Sequence, residues 1–500
     1  TLGVTLLQSI QEDKRESVNV AMENLPADNL KYYDLGSGLV TNTIGSSMIK
    51  WNMASFMGRI NYNYLGRYLL TVSARYDGSS RLADGHKWVL FPSAALAWRI
   101  NEESFMSSTS GWLDNLKLRL GFGKTGNSAV DPYQTKGTLS LIRYPFDNGG
   151  TPTIGYAPNA MANSLLTWET TDQWNLGIDF GVLRGRINGT IDLYMQNTHD
   201  LLLKRQLPVV SGFPDVLSNV GKTRNKGIEV SINSMNINSK DFQWTTDLML
   251  SSNKEEIVEL YNGKNDDIGS KWFIGQPVNV HYDYRKVGIW QNTESDLAEM
   301  AKFAANGTEF APGDIKIQDV NGDYKITDAD KQILGNPRPK LIASMVNTFN
   351  YKGFDLSVFL YASFGAMLYN DIYAVEHCGR NGGVKVDYWT PNNPTNAYPR
   401  PSIDEERPIY ITSTYYEKAD FLRVKTMTLG YTLPKTLTNK FLVEKLRVYF
   451  TAQNPFIFTN YTGIDPEAAK VNSAGNPETN GSGFGTPSVS SWIFGINLTL

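Results

Sequence analysis

The stretch Tyr68-Leu-Leu-Thr-Val-Ser-Ala-Arg-Tyr-Asp77 decides the fold. Tyr68, Leu70, Val72, Ala74 and Tyr76 fall on one side of an extended chain, and Leu69, Thr71, Ser73, Arg75 and Asp77 on the other. Successive strand side chains point to opposite faces, so this period of two describes a strand with one apolar and one polar face. The pattern returns after Arg186, where Ile187, Gly189, Ile191, Leu193 and Met195 alternate with Asn188, Thr190, Asp192, Tyr194 and Gln196. It returns again with Leu446, Val448, Phe450 and Ala452 set against Arg447, Tyr449, Thr451 and Gln453. Strands of soluble sandwiches usually run to about 5–6 residues. These run to roughly 9–11, the length that crosses a bilayer as a tilted barrel strand. The expected fold is therefore all-β, a transmembrane antiparallel barrel with its apolar face on lipid and its polar face on a lumen.

The totals agree with that expectation. Of 500 residues 41% are hydrophobic, and no run approaches the roughly 20 apolar residues of a membrane helix. A barrel needs no such run, since only alternate residues meet lipid. Aromatic residues make up 12%, which suits belts of amphipathic rings at the two headgroup levels and equally suits surfaces that stack on sugars. A formal charge of −3 with mixed signs gives no basic footprint for nucleic acid. The single cysteine, Cys378, excludes an internal disulfide and a multi-cysteine metal centre, and reads as an isolated thiol near a loop. His86, His199, His281 and His377 have no zinc-site spacing. The chain opens at Thr1 on a strand-like run with neither an initiator Met nor a signal peptide, so a fragment or processed part of a longer protein is expected.

Strands are predicted near residues 2–11, 51–64, 67–77, 88–100, 114–123, 168–182, 185–196, 218–233, 241–252, 281–291, 341–352, 353–364, 419–432 and 444–454, with a fifteenth at 491–500. Leu65-Gly-Arg67, Leu183-Arg-Gly185 and Tyr351-Lys-Gly353 join neighbours tightly. Long loops rich in Gly, Pro, Asn and Asp span 126–163, 255–280, 292–340, 365–418 and 455–490. Short turns at one rim and long loops at the other are the asymmetry of outer-membrane barrels, and no boundary splits residues 1–500 into separate domains. The terminal strand ends on Leu500 where an aromatic is commoner, and an apolar residue suffices there.

These residues also carry a family resemblance. Ser73-Ala-Arg-Tyr-Asp-Gly-Ser-Ser-Arg-Leu82, Phe91-Pro-Ser93, Trp98-Arg99, Asn115-Leu-Lys-Leu-Arg119 and Gly123-Lys-Thr-Gly-Asn127 resemble the SusC/RagA family of TonB-dependent outer-membrane transporters of Bacteroidota. Further matches follow in order: Trp168-Glu-Thr-Thr171, Asn225-Lys-Gly-Ile-Glu229, Gly288-Ile-Trp290, Pro312-Gly-Asp314, Phe421-Leu-Arg-Val-Lys425, Gly430-Tyr-Thr-Leu-Pro434 and Tyr461-Thr-Gly-Ile-Asp-Pro-Glu467. The resemblance covers essentially the whole chain. It implies the C-terminal part of a plugged barrel of about 22 strands, whose plug domain and first strands lie outside this sequence. It also implies oligosaccharide import in most members and oligopeptide import in others. A SusD-like surface lipoprotein, the TonB complex and a dimer of transporter–lipoprotein pairs are the implied partners.

The sharpest local constellation is Asp319-Val-Asn-Gly-Asp-Tyr-Lys-Ile-Thr-Asp-Ala-Asp330. Side-chain oxygens of Asp319, Asn321, Asp323 and Asp330 and the carbonyl of Lys325 match positions one, three, five, twelve and seven of a calcium loop, in a structural role. Tyr324 stands where Gly normally makes the sharp turn, and Asp330 is shorter than the usual Glu. The alternative is a loop tied by Asx turns without metal. Glu255–Glu256 and Glu405–Glu406 read as solvated pairs. Arg75, Arg119, Arg186 and Arg447 are expected on the wet wall, paired with Asp77 or Asp192, with a cargo role as the alternative. Trp272, Trp290, Trp389, Tyr415 and Tyr416 lie in or beside long loops, where they stack on sugars or pack the loops. Competing functions are a passive porin-like barrel and a β-sheet glycosidase. The glycosidase needs two carboxylates about 5–10 Å apart in a cleft, and strands of lipid length argue against it.

Overall fold

The computed structural model describes residues 1–146, 152–370, 385–402, 407–438, 440, 443–467 and 487–500. Fourteen strands form one sheet in which every strand pairs antiparallel with its neighbour in sequence. They are β1 (Leu2–Glu23), β2 (Val40–Tyr64), β3 (Tyr68–Ser79), β4 (Trp88–Arg99), β5 (Leu113–Asn127), β6 (Glu169–Val182) and β7 (Ile187–His199). The second half continues with β8 (Lys222–Asn238), β9 (Phe242–Glu259), β10 (Leu341–Tyr351), β11 (Phe354–Phe364), β12 (Phe421–Thr432), β13 (Lys445–Thr459) and β14 (Ser491–Thr499). This meander is the barrel wall. The outer edges of β1 and β14 have no strand partner among the described residues.

Exposure runs opposite to that of a soluble protein. On β3 the apolar Tyr68, Leu70, Val72 and Tyr76 are 40%, 39%, 43% and 45% exposed, while Asp77 on the polar face is 7% exposed. Leu193, Met195 and Val448 are likewise exposed, and Ile191 and Phe450 are half-exposed. Apolar side chains that point away from the protein need hydrocarbon as solvent. Aromatic rings bracket this face. Tyr62, Tyr64, Tyr68 and Trp98 follow one another at centroid spacings of 6.3, 6.3 and 6.5 Å near the β2–β3 turn. Phe56, Tyr76 and Trp88 form a second group, with Trp88 5.0 Å from Tyr76 and 6.3 Å from Phe56. Tyr68 and Tyr76 are eight residues apart, about 26 Å along the strand, which after tilting fits an apolar band of about 25 Å or less. Trp88 lies flat over Gly78, where an added Cβ would come within 2.4 Å of the indole.

The rims differ as expected. Lys352 and Gly353, at φ 45° and 90°, make a two-residue turn between the paired Tyr351 and Phe354. Leu183, Arg184 and Gly185, all at positive φ, close β6 on β7. At the opposite rim the β9–β10 and β11–β12 connections are long, and they fold together into a lobe with its own core. Ile289, Ile315 and Ile317 from the first pack with Trp389, Tyr398, Ile411 and Tyr415 from the second. The helix α1 (Glu294–Ala305), capped by Thr293 accepting from the Asp296 N–H, adds Met300 and Phe303 against Trp290.

One expected strand is corrected. Residues 281–291 do not enter the barrel. They break into His281–Asp283, paired with Gln332–Gly335, and Lys286–Ile289, paired with Ile315–Ile317. Ile289 and Trp290, which point to opposite faces, are both buried in the lobe, so this run packs into a protein core and not against lipid. Two other strands extend past their expected ends. Glu12 to Glu16 continue β1 opposite Asn52 to Met48, because ladder hydrogen bonds outlast the apolar pattern where the strand leaves the bilayer.

Candidate functional site

The inner face of the wall is a polar ladder. Arg75 places Nε 2.7 Å from Asp77 Oδ1 and donates to Ser55 Oγ at 3.0 Å. Arg119 on β5 donates to Asp179 on β6 at 2.8 Å and reaches past it to Asp192 on β7 at 3.0 Å, with Lys117 3.2 Å from the same Asp179. Arg447 on β13 likewise reaches across β12 to Asp355 on β11, at 2.9 and 2.5 Å. Thr171 bonds Thr198, Gln196 donates to Gln173, and Thr428 bonds Thr451 between neighbouring strands. A cation facing lipid at mid-depth would cost about 2–4 kcal/mol, so this segregation fixes which side is lumen. Pairing with Asp77 and Asp192 is thus found for Arg75 and Arg119, whereas Arg447 takes Asp355. Arg186 departs from the expectation: it lies at the β6–β7 turn and donates to the carbonyls of Met235 and Asn236.

A buried clasp links two stretches that lie far apart in sequence. Arg423 on β12 and Asp465 in the β13–β14 loop, 3% and 9% exposed, approach to 2.5 Å. Asp465 also accepts from the N–H groups of Glu467 and Ser488, both at 2.9 Å. Glu467 sits 2.9 Å from Arg423 Nε and is bonded by Lys425. A register shift between Val424 and Thr426 lets Arg423 and Lys425 both reach these acids. In the sequence, Phe421–Lys425 and Tyr461–Glu467 carry the family resemblance as separate segments. Nothing in a single sequence joins positions that lie 42 residues apart.

The Asp-rich loop sits in the lobe as a compact turn. Asp319 accepts from the N–H groups of Gly322 (2.7 Å) and Tyr324 (2.8 Å), Asn321 from Asp323 (3.0 Å), and Asp323 from Lys325 (2.8 Å). Gly322 and Tyr324 take the left-handed φ of 74° and 56° that the turn demands. Tyr324 is held there by its ring, 5.5 Å from Phe303 in an edge-on contact. Asp330 is fully buried and caps the turn, accepting from Val320 (2.9 Å) and Thr327 (2.8 Å). The donor set is the hard-oxygen kind that suits calcium, but these oxygens bond N–H groups, and the Asn321 amide donates to Asp323. Among the described residues no three or more His, Cys, Asp or Glu side chains gather as a metal-holding cluster.

The lobe explains the loop aromatics. Trp290, Trp389 and Tyr415 are 1%, 6% and 1% exposed, so they pack the loops and present no face to a sugar. Trp389 Nε1 donates to Gln291, and Arg400 bonds Asp314 at 2.8 Å, tying the two loops together. Burial lowers the pKa of His281, whose Nε2 contacts the Met367 carbonyl at 2.7 Å. Burial, with Asp328 nearby, pushes the Tyr284 hydroxyl up to about 12. Glu255 is less free than expected, since Arg338 bonds it at 2.9 Å, and Glu256 lies 3.3 Å from Lys254. His377, Cys378, Glu405 and Glu406 lie outside the described residues.

A lipid-facing meander around a charged lumen, with long loops gathered at one rim, defines a large outer-membrane barrel. Residues 22–455 match the family model described as TonB dependent receptor-like, beta-barrel. The TonB-dependent receptor SusC of Bacteroides thetaiotaomicron is 35% identical over 83% of this chain and 41% of its own length. The TonB-dependent receptor P3 of Formosa agariphila is 32% identical over 98% of the chain and 50% of its own. The RagAB peptide transporter structure superposes with a TM-score of 0.81 at 23% identity, covering 99% of this chain and 53% of that one. The chain belongs to the TonB-dependent receptor family, on its SusC/RagA-like side. It spans about half the length of the curated relatives it matches.

Proposed function

We propose that this chain is the wall and outer mouth of a TonB-dependent importer in the outer membrane of a Gram-negative bacterium, a transport protein and not an enzyme. The observation that carries the reading is the segregated wall: lipid-facing Leu70, Val72 and Leu193 outside, and the Arg119–Asp179–Asp192 ladder inside. Unpaired strand edges cannot face hydrocarbon, so strands outside this chain close the gap between β1 and β14. A lumen this wide needs a plug, which those residues also supply. The cargo is an oligosaccharide, captured with a SusD-like surface lipoprotein in a dimer of transporter–lipoprotein pairs. Oligosaccharide import is what the resemblance to the SusC/RagA family implies for most members, and SusC itself is 35% identical over 83% of this chain. The fold likeness to the RagAB peptide transporter keeps oligopeptide cargo as the second reading. Uptake of labelled oligosaccharide by cells with and without TonB tests the proposal. Loss of uptake with the barrel still inserted is the expected result, and an unchanged rate without TonB points to a passive pore instead.

A further inference from the structure

At the rim that carries the long loops, the β3–β4 and β5–β6 connections enclose with the middle of β2 a cavity of about 480 Å³ lined by Lys50, Trp51, Asp84, Lys87, Tyr133 and Lys136. Its volume is that of a small-ligand site. Its floor is firm, because Leu82 and Leu166 are fully buried beneath it with Phe91 and Trp168. Its walls are tied: Tyr133 Oη bonds the Lys50 N–H at 3.2 Å and its carbonyl at 3.3 Å, Ser80 Oγ accepts from Asn52 N, and Trp168 Nε1 donates to the Lys87 carbonyl. Tyr133 holds a φ of 72°, a conformation that a non-glycine residue keeps only when its surroundings enforce it.

Charge sets this place apart. Deeper on the wall Arg75, Arg119 and Arg447 each bond a carboxylate. Here the lining holds three lysines and one acid, Asp84. Lys50 pairs with Glu12 at 3.0 Å and Lys87 with Asp84. Lys136 is exposed and makes no ion pair among the described residues. The Arg81 guanidinium lies 3.7 Å over the Trp51 ring, and its buried Nε has no hydrogen-bond partner. A surplus of positive charge on a preformed aromatic cavity is a binding preference, since each unpaired cation gains a charge-assisted bond when an anion enters.

We propose that this pocket binds the anionic group of an acidic oligosaccharide, a uronate carboxylate or a sugar sulfate, with the pyranose ring against Trp51 or Tyr133 and the charge on Lys87 and Lys136. The proposal rests on the import reading and narrows its cargo. Flat aromatic faces beside cations suit a ring that carries its charge at the edge, and Asp84 gives up Lys87 to the incoming anion.

The test uses the full-length transporter with its lipoprotein partner and isothermal titration calorimetry. The ligands are oligogalacturonate, a sulfated oligosaccharide, a neutral oligosaccharide of equal length and a poly-glutamate peptide. Tighter binding of either acidic sugar than of the neutral one is expected. That binding should weaken about tenfold in the double variant Lys87→Ala/Lys136→Ala, and should fall with added salt. The carboxylate and sulfate arms identify which anion the pocket takes. Equal affinity in the double variant overturns the proposal, as does a neutral sugar or poly-glutamate binding more tightly than both acidic sugars. TonB-dependent uptake of a neutral glycan with no acidic binding overturns this pocket and leaves the importer standing, whereas TonB-independent uptake removes the importer reading.

Discussion

Replacing Asp465 by Leu should release the β13–β14 loop from the barrel without melting the barrel. Arg423 would remain buried with its 2.5 Å partner gone, and the N–H groups of Glu467 and Ser488 would lose their acceptor. Removing one member of a buried ion pair typically costs 3–5 kcal/mol. Glu467 stays 2.9 Å from Arg423 Nε and offsets part of this, so the lower end applies, about 3 kcal/mol. At 1.36 kcal/mol per factor of ten, that is roughly a 150-fold rise in the equilibrium for local opening. Hydrogen exchange on the full-length protein reads it directly. Amides in 461–467 and 487–490 should exchange about two orders of magnitude faster, while those of β12 and β13 stay protected. Asp465→Asn keeps an acceptor for the N–H groups and loses only the charge, so it should fall between. Salt should matter little, because the pair is shielded from solvent. Unchanged exchange in 461–467, or a matching loss of protection along β12, would refute the clasp.

Further predictions concern the wall, the lobe and the Asp-rich turn. Val72→Arg should cost about 2–4 kcal/mol of folding free energy in a bilayer and Ser73→Arg much less, measured by denaturant titration in lipid vesicles; equal costs would mean that the faces are misassigned. His281 is buried with its pKa below the ordinary value, so the unfolded lobe takes up the proton first as pH falls. Stability from this group is complete above about pH 6.5 and is lost as pH falls from there toward the depressed native value. Exchange in 281–291, corrected for intrinsic rates, should therefore rise below pH 6.5, and a rise on going alkaline would contradict this. Asp319→Ala leaves the Gly322 and Tyr324 N–H groups without their acceptor and should loosen 319–325 by about 1–2 kcal/mol, read by exchange, with the barrel unaffected. Terbium luminescence sensitised by Tyr324 and displaced by calcium is the expected mark of a hard cation in this turn; its absence at millimolar metal removes the cation and leaves the self-tied loop.

Much of the barrel was legible because its information is local. Alternation in Tyr68–Asp77 or Leu446–Gln453 assigns each side chain to a face with no knowledge of any partner, and turns such as Lys352–Gly353 set which strands are neighbours. The sequence by itself also determined the turn at Asp319–Asp330, since its bonds span few residues. Only the tertiary structure decided that residues 281–291 belong to a lobe. Tyr282 and Tyr284, then Val287 and Ile289, give this stretch a strand-like look, and what settles its place is that Trp389 and Tyr415 from another loop cover Ile289. It alone joined Arg423 to Asp465, Arg447 to Asp355 across an intervening strand, and Trp51 to Tyr133 around a cationic pocket. The physical reason is the same in each case: a strand's period fixes direction, whereas a site needs distance, and distance between remote residues is set by the pairing of the whole sheet and the packing of its loops.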